Sequence, residues 1–198
     1  MAYNKFTMLQ LRDAHHLQVI ERAGLFVAAP PAVISDWLRE TLRKQTPLAL
    51  RVNSEKARSE SLIYPVLIEV YDQMQEQVNL FPGVEFNVDR QQGLAGFCDY
   101  LFSRSPLTRE IETPVLVVVE AKKENINAGI PQCFAELVAA QIFNERAGQT
   151  VTSLYGVITT GTEWQFVRLQ GTEATIDSDR YALSEVEKIV GIILSMLR

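Results

Sequence analysis

The sequence predicts an α/β domain built on a central mixed β-sheet flanked by helices. Three observations carry this expectation. Several segments repeat their apolar residues at helical spacing. The run Val115-Leu116-Val117-Val118-Val119 is unbroken, apolar and mostly β-branched, as a strand buried on both faces requires. The elements then follow in the order helix, helix, three strands, helix, two strands, helix.

The first clear break is Ala29-Pro30-Pro31, which precedes a helix from Ala32 to Lys44. Pro31 suits the first turn, where its missing N–H costs nothing, and Val33, Trp37 and Leu38 mark one side. Asn53 or Ser54 caps a second helix carrying Leu62, Ile63, Val66, Leu67, Val70 and Met74. Pro65 kinks or splits it, and Phe81-Pro82-Gly83 reads as the turn that ends it.

The period then shortens. Val84 to Val88 and Leu94 to Phe102 are strands joined by a hairpin turn at Arg90-Gln91-Gln92-Gly93. A polar loop from Ser103 to Thr113 leads to Pro114 and the central strand. Asn127 to Arg146 is helical, Leu154 to Thr159 and Trp164 to Leu169 are strands, and Ser184 caps a last helix through Met196. Residues 1–53 form a helical extension packed on a core of residues 54–198, in one compact domain.

The chain has 198 residues, 47% apolar and 22% charged, which is ordinary for a globular protein with one sizeable core. No apolar run reaches the ~18 residues of a membrane span, and the N-terminus lacks the order of a signal peptide. The expected compartment is the cytoplasm. Cys98 and Cys133 fit neither a disulfide scaffold nor a zinc spacing and read as buried apolar residues.

The net charge of −5 argues against a strong autonomous binder of nucleic acid. Its distribution is uneven. Six basic residues lie between Arg39 and Arg58, whereas Glu69 to Asp89 holds five acids and no base. A local basic patch and a solvated helix face are both open readings.

The chemistry concentrates after the central strand, at Glu120-Ala121-Lys122. Alternation puts Glu120 and Lys122 on one face and Ala121 on the other. Charges at the end of a buried strand are costly unless paired or bound. The preceding strand carries Gly96-Phe97-Cys98-Asp99-Tyr100, and as a neighbour it sets Asp99 beside Glu120. Two such carboxylates make an oxygen-rich site for Mg²⁺ or Mn²⁺. The plainer alternative for these residues is a surface ion pair capping the strand.

Asp99, a gap and then Glu120-Ala121-Lys122 resembles the PD-(D/E)XK nuclease superfamily, and is similar to the N-terminal nuclease domain of type I restriction enzyme motor subunits. Gln132 falls where that group has a glutamine on the next helix, and Tyr155 to Trp164 looks like its closing hairpin. The likeness spans roughly Ser54 to Gln170, and departs from it at Cys98, where many members have proline. It implies a restriction-endonuclease-like core and Mg-dependent hydrolysis of DNA phosphodiesters. Asp99 and Glu120 then bind metal, and Lys122 positions the attacking water. It also implies a glutamate from the preceding helix. Helical phase favours Glu60, which continues the apolar stripe, over Glu69 on the opposite side. Implied partners are DNA and either a second copy or a larger restriction or repair complex, with no membrane.

Other residues have blander expectations. Gln132 lies away from its helix's apolar stripe, Glu85 and Asp89 read as solvated, His15 and His16 as exposed, and Trp37 and Trp164 as core. No phosphate-cradling glycine motif or nucleophile elbow is present. Two rival functions stay open: an inert module of the same fold that binds nucleic acid or a protein, and a hydrolase of a small phosphodiester.

Overall fold

A computed structural model describes residues 2–105 and 108–198. The elements are α1 (Met8–His15), β1 (Gln18–Arg22), α2 (Asp36–Val52), α3 (Glu55–Arg58), a π-helical turn (Ser59–Ile63) and α4 (Tyr64–Gln73). There follow β2 (Asn79–Asp89), β3 (Leu94–Ser103), β4 (Val115–Ala121), α5 (Ile126–Arg146), β5 (Leu154–Thr159), β6 (Glu163–Gln170), β7 (Glu173–Ala182) and α6 (Val186–Leu197). The strands form one seven-stranded sheet in the order β1-β7-β6-β5-β4-β3-β2. Pairs β4–β5 and β1–β7 are parallel and the rest antiparallel, so the sheet is mixed as the sequence predicts.

β4 lies in the interior of the sheet, between β5 and β3, and all seven of its residues are buried. Each buried valine contributes roughly 1.5–3 kcal/mol relative to exposure, which anchors the strand whose end carries the charged residues. Helix α5 covers one face, with Cys133, Phe134, Leu137 and Val138 buried over Val118 and Ile158. The other face is covered by α2, α4 and α6, through Leu38, Leu67, Val70, Ile189 and Ile193. Gly156 lets α5 approach, because a Cβ there collides with Cys133 Sγ and Val167 Cγ2. Both cysteines are free and buried, as expected.

Several expectations are corrected. The sheet has two strands that the sequence does not announce. β1 is an exposed edge strand with no apolar face to alternate, and β7 hides among Asp177, Asp179 and Arg180. Residues 1–53 thus hold helices, as expected, and also a strand. Phe81-Pro82-Gly83 is not a turn but part of β2. β2 is the other edge of the sheet, where a proline without N–H is tolerated. Helix α2 starts at Asp36, not Ala32, capped by Ser35 Oγ on the Leu38 N–H, and runs on through Pro47 to Val52. Its buried side is Leu38, Leu42 and Ala49, so Trp37 is 50% exposed, not core. Trp164 is buried. Residues 106 and 107 of the predicted polar loop lie outside the described residues. Among the described residues, no helix is long and apolar enough to cross a membrane.

Candidate functional site

The site forms where the pairing of β3 with β4 ends, beside the start of α5. Tyr100 pairs with Val119, and the same antiparallel register brings Asp99 level with Glu120. Asp99 Oδ2 accepts a hydrogen bond from the Ala121 N–H at 2.8 Å, which ties the two strands at this point. The Lys122 N–H donates to the Thr159 carbonyl at 2.8 Å, so the residue after β4 is held by β5.

Glu120 is 1% exposed. It forms an ion pair with Lys122 Nζ, and its Oε2 accepts from Gln132 Nε2 at 2.7 Å. Lys122 Nζ also donates to Gln132 Oε1 at 3.2 Å. Gln132 therefore bridges both motif residues from α5. The helix comes close because residue 129 is glycine: a Cβ there meets Ile158 Cγ2 at 2.7 Å and the Lys122 stem at 3.3 Å. Asn125 caps the helix start through its side chain and the Asn127 N–H, at 3.0 Å.

The electrostatics are those of crowded carboxylates in a dry place. Burial and then the charge of Asp99 push the Glu120 carboxyl up to about 8, against the opposing pull of Lys122. Asp99 is also raised, by burial, with the Ala121 N–H and Lys122 opposing. For Lys122, burial is the largest influence and works against the ammonium, but the charge and hydrogen bond of Glu120, with the charges of Asp99 and Glu55, together outweigh it and raise the pKa. Lys122 is consequently cationic at neutral pH.

One acid of this cluster was not foreseen. Glu136 is fully buried, accepts from Gln132 Nε2 at 3.2 Å, and has a second oxygen without a hydrogen-bond partner among the described residues. Burial, then Glu120, raises its pKa well above the ordinary carboxylate range. The signal available in the sequence is its position one helical turn after Gln132.

Glu60 faces solvent and pairs with Lys56 at 2.8 Å, although both line the same cavity as Asp99. Glu69, expected on the outer side, is instead buried. It accepts from the Ser35 N–H at 2.9 Å and from Ser35 Oγ, and so holds the start of α2. The phase argument fails for two reasons: Glu60 sits within the π-helical turn Ser59–Ile63, whose wider period takes it off the α4 stripe, and the start of α2 at Ser35 covers the side of α4 that carries Glu69. Glu85 is exposed beside Arg90, while Asp89 caps the hairpin turn through the Gln91 and Gln92 N–H groups. His15 is half-buried, not exposed, and burial lowers its pKa. Lys123 turns to Glu124.

A cavity of about 480 Å³ opens beside Asp99, bounded by Glu55, Glu60, Tyr64, Pro82, Tyr100 and Ala121. A broader depression between α2 and α6 has an apolar lining, and its Arg39 and Glu187 neutralise each other. Among the described residues, no three His, Cys, Asp or Glu side chains are grouped to hold a metal by themselves. The donor set still fits Mg²⁺ or Mn²⁺. Such ions commonly take one or two protein carboxylates and complete their shells with water and substrate phosphate. Asp99 and Glu120 are a pair whose burial and mutual repulsion a cation relieves. No family model matches the chain, and no curated protein matches it.

Proposed function

We propose that this protein is a metal-dependent nuclease that hydrolyses phosphodiester bonds of DNA. The single observation that carries the reading is the convergence of Asp99, Glu120 and a cationic Lys122, with Asp99 on the wall of an open cavity. A buried Glu120 beside a half-buried Asp99 has little structural value of its own, because removing carboxylates from water is costly. Its retention next to a cavity favours a site.

Asp99 and Glu120 hold the cation in this reading. When bound, the ion polarises the phosphate and neutralises charge. Gln132 keeps Glu120 and Lys122 in register from α5. Lys122 acts as a donor rather than a base, since its ammonium is retained at neutral pH. It orients the attacking water and offsets negative charge growing on the phosphate oxygens. The place of action in this reading is the cytoplasm, and DNA is the partner.

A second reading, an inert module of the same architecture, draws support from the net charge of −5 and from Lys122 lying on Glu120. Titration calorimetry with Mn²⁺, paired with cleavage assays on plasmid and linear DNA, separates the two. Metal uptake with cleavage supports the nuclease, and metal uptake without turnover supports the module. Absence of Mn²⁺ binding refutes the nuclease.

A further inference from the structure

We infer that the site takes an unpaired nucleotide, with its base stacked on Tyr64, so that the substrate is single-stranded or frayed DNA rather than intact duplex. The inference rests on the nuclease reading and names its substrate class.

Tyr64 begins α4, borders the cavity beside Asp99, and is 37% exposed. Its ring stacks on that of Tyr100, with centroids 6.1 Å apart and planes within 16°. Tyr100 is itself 5% exposed, and its hydroxyl lies 2.6 Å from Ser59 Oγ. A fixed ring thus backs a partly exposed one, one residue along the chain from Asp99. Such an aromatic platform accepts any base, because every base has a π-face. A base in a duplex cannot reach it without leaving its stack.

The charges around the cavity point the same way. Glu55, Glu60 and Asp99 line it against a single cation, Lys56, which Glu60 pairs. Arg58 turns inward to the Thr160 carbonyl and Asn53 Oδ1, and Lys123 is paired with Glu124. A duplex needs a run of free cations along its phosphates, and the cavity rim offers none among these residues. A neutral base entering the cavity, with one phosphate drawn to the cation site, avoids that repulsion. The volume of about 480 Å³ suits a nucleotide-sized ligand.

The test compares single-stranded and blunt duplex DNA of one sequence in Mn²⁺, for the wild type, Tyr64→Leu and Tyr64→Trp. Single strands should be cut at least about tenfold faster. Tyr64→Leu should slow their cleavage by about tenfold or more, and Tyr64→Trp should retain it. In parallel, a single strand carrying 2-aminopurine is titrated with the Lys122→Ala protein, whose fluorescence should be quenched on binding unless Tyr64→Leu is added. Thermal unfolding of each variant checks that it folds. Equal rates on both DNA forms, or no effect of Tyr64→Leu, overturns the stacking proposal and leaves the nuclease reading standing. Tyr64-dependent quenching with no cleavage of any DNA by the wild type upholds stacking and sinks the nuclease reading.

Discussion

Gln132 Nε2 donates to Glu120 Oε2 at 2.7 Å, joining the first turns of α5 to the end of the central strand. Through the same amide, Lys122 and Glu136 enter one hydrogen-bonded group. An exposed-looking glutamine is thereby the link that fixes both motif side chains. Its loss in Gln132→Ala should lower DNA cleavage by about tenfold to a hundredfold, with KM for DNA little changed. A rise in KM alone, with kcat intact, is inconsistent with that linking role.

Lys122→Ala removes the donor that orients water and offsets negative charge. Cleavage in Mg²⁺ should drop by at least about a hundredfold, while Mn²⁺ binding by calorimetry persists through Asp99 and Glu120. Undiminished cleavage by this variant refutes the assigned role.

Stability of the metal-free protein should fall as pH rises. Below about 4.5, Glu120 is protonated in both folded and unfolded chains; the folded carboxyl stays protonated up to about 8. Between those values unfolding releases a proton, so the favourable contribution present at low pH is lost as pH passes the folded value. The raised carboxyls of Asp99 and Glu136 act in the same direction. Thermal unfolding at about pH 5 and about pH 8.5 should show the higher Tm at the lower pH, and Glu120→Gln should flatten the difference.

Divalent cation should reverse that loss. At about a hundredfold excess over Kd, Mn²⁺ should stabilise the fold by about 2.7 kcal/mol, most visibly above neutral pH. Asp99→Asn should abolish the Tm increase. An equal increase in wild type and variant places the ion elsewhere.

Gly129→Ala tests how closely α5 must approach. The added methyl meets Ile158 and the Lys122 stem, so it should cost about 1–3 kcal/mol in denaturant unfolding and displace Lys122 enough to lower cleavage. A variant of wild-type stability and activity contradicts the close contact.

Local pattern made much of this fold legible. Alternation along β4 alone puts Glu120 and Lys122 on one side, and the apolar run marks the strand as central. β1 escaped because an exposed edge strand has no apolar face to repeat, and the Pro82 portion of β2 because Pro-Gly reads as a turn signal although an edge strand tolerates it. β7 escaped because its charged residues mask it.

What the sequence by itself determined is therefore the α/β class, the buried central strand and the common side of Glu120 and Lys122, since each follows from side-chain period within a few residues. Only the tertiary structure decided that Asp99 comes level with Glu120, that Gln132 turns inward, and that Glu69 rather than Glu60 is buried. Those outcomes depend on cross-strand register, on the glycine that admits α5, on the π-helical turn that holds Glu60, and on the start of α2 lying over Glu69. Each is set by contacts between segments far apart in the chain, which no local period records.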